Sequence, residues 1–403
     1  MRNRIVFISL TLIGCLVGIA VAQSVLHGRQ LGTLVVNMNT VATVTYSQLD
    51  KTPVKAGSGS TVRIRLPAGV YQILASAKAG YGQTSTPAQV EKRKLTTISL
   101  SIIQPVAPQR VALYTGRDVH ELNNGDLAFV NSPFRLPSII GHGTSTAQPY
   151  RTELYPVDSI TWLSDQTGYA SSNQGDWTYF NGVSTGKLPV SGAEGRVAKT
   201  QTSVNSSGGV AFVIDGGLYL LTGPTAAPHK LLSLGDDSWT PVLSSTGTTL
   251  VFDSRETADS GGGSVRSSQL VLADGTKQSV PASLSQLTAA SWSPDGTKLV
   301  ALKTSGLFLY NASSNSVTQQ AVQRPTNSSS VSWVDNDRFL YVQGGRVWLV
   351  SVSKNVIQLM SNMPGTPTGT NPFSLSRDGH AVYFGSTPES SDGGYIYKLV
   401  LPQ

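Results

Sequence analysis

The sequence predicts an all-β chain preceded by one helical segment. Three observations carry that reading. Glycine supplies 40 of the 403 residues and charged residues only 13%, a mixture poor in strong helix formers. Beyond residue 26, no long stretch repeats its apolar residues at helical spacing. Short apolar runs are separated instead by Gly, Asn, Asp and Ser, the residues of tight turns. The length suggests two or three domains.

The helical segment comes first. Arg2 and Arg4 precede an uncharged run of 18 residues, Ile5 to Ala22. At about 1.5 Å rise per residue such a run is just long enough to cross a bilayer core. Basic residues ahead of it keep the N-terminus cytoplasmic and send the rest across. Residues 1–26 are therefore expected to be a signal anchor or signal peptide, with three readings open. The leading one is a retained anchor, which makes the chain a single-pass cell-membrane protein with an extracytoplasmic C-terminal part. The second is a secreted protein, cleaved after Ala20-Val21-Ala22, an A-x-A site. The third is a lipoprotein, because Leu12-Ile13-Gly14-Cys15 resembles the bacterial lipobox, although the residues after Cys15 stay apolar.

Cys15 is the only cysteine. Disulfides, thiolate metal sites and a cysteine nucleophile are thus excluded from the folded part. The charge is unevenly placed. Residues 1–104 hold 11 basic and two acidic side chains, whereas 105–403 hold 19 basic and 21 acidic ones. Anionic lipid head groups or envelope polymers are the partners that such a basic segment fits. Nucleic acid is not expected, since basic and aromatic residues are not interleaved there.

Residues 31–104 read as a small antiparallel β-sandwich. Thr33-Leu34-Val35-Val36 opens a strand. Thr61 to Leu66 alternates strictly, with Val62, Ile64 and Leu66 on one face. Val70 to Leu74 follows the turn Pro67-Ala68-Gly69, and Leu95 to Ile103 alternates again. At these residues the segment resembles the PEGA domain, a short extracytoplasmic β module of bacterial and archaeal surface proteins. The matching elements are Gly32-Thr33-Leu34-Val35-Val36, Lys51-Thr52-Pro53, Leu66-Pro67-Ala68-Gly69-Val70-Tyr71, Ala79-Gly80-Tyr81 and the closing Leu95 to Ile102 strand. The motif that names the family is absent, Asn39-Thr40-Val41-Ala42 standing about where it would fall. The resemblance implies a structural or surface-interaction role.

Residues 105–403 repeat one unit. Its clearest copy is Ser291-Trp292-Ser293-Pro294-Asp295-Gly296 followed by the apolar run Leu299 to Leu302. Ser-Pro-Asp-Gly is a type I turn, with Pro presetting φ at the second position and Gly closing the fourth. Related turns end near residues 125, 167, 208, 247, 296, 337 and 379, at spacings of 42, 41, 39, 49, 41 and 42. The long spacing accommodates the Gly-rich stretch Thr257 to Ser264. A period of about 40–45 residues with this turn–strand grammar predicts four-stranded blades, hence a seven-bladed β-propeller. The grammar is similar to that of the Tol-system periplasmic protein and of WD-repeat-like bacterial propellers. Blade grammar implies fold and leaves function open.

Ring closure follows from counting strands. The last blade has strands near Pro372 to Leu375, Ala381 to Phe384 and Tyr395 to Leu401, and lacks an outer one. The spare run Arg110 to Thr115 is expected to pair with Tyr395 to Leu401, which places the boundary at Gln104-Pro105-Val106-Ala107-Pro108.

No catalytic constellation stands out. There is no G-x-S-x-G elbow, and none of His27, His120, His142, His229 and His380 is paired at metal-ligand spacing. Acids such as Asp295 and Asp378 read as turn residues. Asp335-Asn336-Asp337 and Asp236-Asp237 fit no known calcium loop and are read as turns. No cofactor and no metal are expected. Trp292 and Trp333 hold equivalent positions and read as packing between blades. Asp236, Asp237 and Trp239 are the candidate binding residues, at the mouth of the central channel. The leading expectation is a non-catalytic, membrane-tethered module that binds a protein or an envelope polysaccharide through its propeller. The alternative is an enzyme that cleaves carbohydrate or peptidoglycan in the channel. It would require two or more inward carboxylates with raised pKa.

Overall fold

The computed structural model describes residues 31–48, 51–77, 82–131, 134–144, 146–150, 156–164, 167–172, 177–181, 185–187, 202–205, 207–223, 225–236, 238–253, 268–281, 284, 287–303, 306–320, 330–354, 356–363, 366–368, 373–387 and 395–402. The expected signal anchor, the Gly-rich insertion and Asp237 lie outside the described residues. Among those described, no helix is long and apolar enough to cross a membrane, and strands account for nearly all regular structure. The chain divides into two compact units, Met1–Gln104 with Asn355–Gln358, and Pro105–Lys354 with Leu359–Gln403.

The smaller unit is built on β1 (Leu31–Ser47), β2 (Val54–Pro67), β3 (Gly69–Ala77), β4 (Gln83–Val90) and β5 (Leu95–Leu100). Alternate residues of β1 are buried, among them Leu34, Val36 and Val44. Val62, Ile64 and Leu66 of β2, then Tyr71, Ile73 and Ala75 of β3, complete the same apolar interior. The period of two thus separates core from surface as the sequence predicts. β1 is long enough to serve two partners. Along one edge it pairs with β2 in both halves, and along the other its second half pairs with β3, leaving its first half to another strand. One expectation fails here: β5 pairs with β1 in parallel, Thr33 opposite Leu95 and Val35 opposite Thr97, so the sheet is mixed. Alternation of apolar residues is the same in both strand directions, which is why the pattern could not reveal it.

The larger unit is a succession of four-stranded antiparallel sheets whose strands pair in sequence order. One runs Val157–Ser164, Thr167–Ser172, Trp177–Asn181, Thr185–Lys187. The next is Thr202–Val204, Val210–Ile214, Gly217–Leu221, His229–Ser233. Then come Trp239–Leu243, Thr249–Asp253, Gln269–Val271, Lys277–Gln278, and Ala289–Trp292, Lys298–Lys303, Gly306–Asn311, Ser316–Gln320. Val331–Trp333, Arg338–Gln343 and Arg346–Ser351 repeat the pattern.

The second strand of a sheet is buried on both faces where its side chains are described throughout. Val210–Ile214 has no exposed residue, and Leu299 to Leu302 is fully enclosed. A strand covered on both sides reads as a continuous apolar run rather than an alternating one. The turn that precedes it recurs with the same hydrogen bonds. Gly296 N–H donates to Ser293 O at 2.8 Å, and Gly247 N–H to Ser244 O at 3.2 Å. Gly296 has φ +70°, a conformation most side chains avoid, which explains its place in the repeat. The buried serine ahead of the turn is a second device. Ser293 Oγ donates to Asp295 and accepts Lys298 N–H, while Ser376 Oγ does the same with Asp378 and Ala381 N–H.

The unit closes through β6 (Gln109–Glu121). Its first part pairs antiparallel with Tyr395–Val400, Ala112 standing opposite Ile396 and Arg110 opposite Tyr397. Its second part, from Gly116, is the inner strand of a sheet with Leu127–Asn131, Leu136–Ile140 and Ala147–Pro149. The expected pairing of Arg110 to Thr115 is therefore present. The run is not a separate strand, however; it continues directly into the next sheet. A bulge between Arg117 and His120, with Asp118 at φ +51°, turns it from one sheet to the other. Gly116 sits at the crossing because a Cβ there would lie 2.6 Å from the Phe129 ring.

Candidate functional site

The inner strands of the larger unit surround a cavity of about 720 Å³. Asp118 to His120, Ile160 to Trp162, Thr202 to Asn205, Thr240 to Leu243, Thr288 to Trp292, Ser332 and Trp333, and Phe373 to Leu375 all contribute to its wall. Inner strands that meet the cavity, such as Thr202–Val204 and Ala289–Trp292, are mostly half-buried, in contrast to the enclosed strands behind them.

Indoles seal the wall between neighbouring sheets. Trp162 Nε1 donates to Asp118 O at 3.0 Å, Trp292 Nε1 to Val242 O at 3.0 Å, and Trp333 Nε1 to Ser291 O at 2.8 Å. Each bond runs from one sheet's inner strand to the inner strand of the sheet before it. Trp292 also meets Tyr310 edge-on, and Trp333 meets Phe339 likewise. The expected packing role of Trp292 and Trp333 is what the structure shows, and both also border the cavity.

Hydroxyls make further stitches. Ser203 Oγ accepts Leu243 N–H at 3.0 Å, and Ser332 Oγ donates to Phe373 O at 3.3 Å. At the seam between the first and last inner strands, His120 Nδ1 and Ser374 Oγ are 2.8 Å apart, although 254 residues separate them in sequence. Burial holds the His120 imidazole below its ordinary pKa, so it is neutral at pH 7. Beside it, Glu121 accepts the Arg377 N–H at 2.8 Å.

The cavity wall carries one carboxylate among the described residues, Asp118. It is buried, and its Oδ2 accepts Ile160 N–H at 3.3 Å. Four acids elsewhere in this unit serve turns. Burial alone would raise the Asp295 carboxyl, but hydrogen bonds from Ser293 and Thr297 hold it below the usual range. Hydrogen bonds from Ser376 and His380 lower Asp378 in the same way. Desolvation at Asp335 is outweighed by its bonds to Arg338 and Asp337, and at Asp337 by bonds from Ser351 and Ser353. Among the described residues, no group of three or more His, Cys, Asp or Glu is placed to hold a metal ion.

Two of the three candidate binding residues are described, and neither lines the cavity. Trp239 is 3% exposed and packs with Ala211, Leu218, Leu231 and Val251 between neighbouring sheets. Asp236 Oδ1 accepts the backbone N–H and hydroxyl of Ser238, closing a local turn. Asp237 lies outside the described residues. Trp239 and Leu243 share the buried face of their strand, yet Leu243 still reaches the cavity wall, so strand parity alone does not separate Trp239 from it.

No protein family matches the chain, and no curated protein matches it in sequence. Solved structures do match. A catalytically inactive virginiamycin B lyase of Staphylococcus aureus, with quinupristin, is 12% identical with a TM-score of 0.52. The match covers 73% of this chain and 99% of that one. A chain of the mitotic checkpoint complex is 15% identical with a TM-score of 0.52, over 74% of this chain and 92% of that one. These are β-propellers. The larger unit has the β-propeller fold. One neighbour is named for a lyase and the other for an assembly, so the likeness carries architecture and leaves activity open.

The neutral His120 gives a pH signature. Its pKa is depressed in the folded chain and ordinary, about 6.5, in the unfolded one. The unfolded state then binds more protons as pH falls through that value. Stability is therefore complete above about pH 6.5 and is lost as pH drops towards the depressed folded value. Thermal melts between pH 7.5 and pH 5 should show this fall. His120→Asn should flatten it; an identical pH profile in the variant would contradict the assignment.

Proposed function

We propose that this chain is a non-catalytic, membrane-tethered binding protein that takes a protein segment or an envelope polysaccharide into the cavity of a seven-bladed propeller. The carrying observation is the wall itself. It is a cavity of about 720 Å³ bordered by hydroxyls and indole edges, with Asp118 as the one carboxylate among the described residues. Glycoside cleavage calls on two carboxyl groups, one of them raised in pKa. A wall of this composition is suited to holding a neutral chain by hydrogen bonds and apolar contact.

Support for seven blades comes from the turn period together with the shared strand β6, which supplies both the last outer strand and the first inner one. Support for the tether comes from residues 1–26 as a sequence, with Arg2 and Arg4 before an uncharged run. The PEGA resemblance of 31–104 fits a surface protein, and the parallel placement of β5 is a feature that assignment must accommodate.

The binding and enzyme readings separate on one variant. Full-length protein and Asp118→Asn are each incubated with peptidoglycan fragments and with envelope polysaccharide. Retention of a polymer by both forms, with no new chain ends released, is the expected outcome. Release of products by the parent but not by Asp118→Asn would establish the enzyme instead.

A further inference from the structure

The smaller unit presents a cationic sheet face that nothing in the propeller accounts for. The pairing of β1 with β2 on one side and β5 on the other builds it row by row. Arg65, Thr33 and Leu95 stand side by side, then Arg63, Val35 and Thr97, then Thr61, Asn37 and Ser99. All nine occupy the outward pleat, opposite buried Leu34, Val36, Ile64 and Leu66. Arg63, Arg65, Leu95 and Thr97 are exposed, Leu95 to 60%.

Lys92, Arg93 and Lys94 are exposed in the turn that leads into β5. They sit beside the first row, because Arg93 N–H donates to Leu31 O and Thr33 N–H to Lys94 O. Among the described residues of this unit, Glu91 is the one carboxylate, and it is bridged to Lys94 at 2.5 Å. Arg63 and Arg65 therefore share a face with exposed apolar and hydroxyl groups and, among the described residues, no acid.

We propose that this face lies against the surface of the bilayer and binds anionic phospholipid head groups. The chemistry is complementary: guanidinium groups pair with phosphates in fork geometry, and exposed Leu95 can enter the interfacial layer. The chain length agrees. Eight residues separate Ala22, the end of the apolar run, from Leu31, the start of β1. Extended, they reach at most about 28 Å, so the unit cannot leave the neighbourhood of the membrane. The inference rests on the tethered reading of residues 1–26 and is independent of the propeller cavity.

The test uses the full chain with Cys15→Ser and Thr97→Cys, labelled with an environment-sensitive dye at position 97. It is reconstituted into vesicles of phosphatidylcholine alone, or of phosphatidylcholine and phosphatidylglycerol in equal parts, each with a head-group nitroxide lipid. Flotation first establishes that the chain is membrane-bound; if it is not, the tether has failed rather than the face. Quenching is expected in the phosphatidylglycerol vesicles, weak in phosphatidylcholine, and relieved by high salt. Each of Arg63→Gln and Arg65→Gln should reduce the contacting population about fivefold, while the matching lysine variants retain most of it. Equal quenching in both lipids, or no change in the glutamine variants, would overturn the proposal. So would a dye response to soluble polyglycerol phosphate with none to phosphatidylglycerol, which would assign the face to a wall polymer.

Discussion

Replacing Ile396 by alanine is expected to destabilise the propeller by about 2–5 kcal/mol, on the order of 10 °C in melting temperature. Ile396 is fully buried. It packs with Val119, Phe129, Ile140 and Tyr383, residues drawn from the two sheets that β6 joins. Its methyl groups thus hold the seam where a ring must close. Losing them leaves a void at a join between strands far apart in sequence, Gln109–Glu121 and Tyr395–Val400. Val400→Ala is the control, since Val400 is 42% exposed on the same strand. It should change stability by no more than about 0.5 kcal/mol. If Ile396→Ala melts with the parent, the seam does not carry closure.

Trp292 separates packing from hydrogen bonding. Trp292→Ala removes an indole buried among Leu250, Phe252, Leu299 and Tyr310, and should cost about 3–5 kcal/mol. Trp292→Phe keeps most of the apolar contact but leaves Val242 O without its donor, at a cost of about 1–3 kcal/mol. Calorimetry on the three proteins should give that order. Equal losses in both variants would mean that the N–H contributes nothing between sheets.

The repeat was legible because its turn is chemically demanding. Gly296 at φ +70° and the Ser293–Asp295 bond need those residue types, so sequence reports them directly. The same turn also recurs elsewhere in a sheet. Gly275 N–H donates to Leu272 O between the outer strands Gln269–Val271 and Lys277–Gln278, so a turn signal alone does not fix blade position. Inner strands were the hardest to read. Thr202-Ser203-Val204 and Ser374-Leu375 are short, half-buried and mix hydroxyl with apolar residues where they meet the cavity, so the apolar alternation that marks a half-buried strand is too brief to read.

The cavity was less legible than the fold, for a physical reason. Its wall is assembled from segments far apart in sequence, as the His120–Ser374 contact shows. The residues that looked distinctive, Asp236 and Trp239, are engaged in a turn and in the core. Of the indoles that border the cavity, Trp292 and Trp333 were recognisable by their shared strand position but not by their bonds to the preceding sheet, and Trp162 and Trp177 carried no such signal.

Photocrosslinking from the cavity wall tests the central claim most directly. A benzoylphenylalanine at Thr288 borders the cavity, whereas one at Ser316 stands exposed on an outer strand. Irradiated in cells, the full chain should capture a partner or polymer from position 288 and none from position 316. Capture from 316 with none from 288 would place binding on the rim and contradict a ligand held in the cavity.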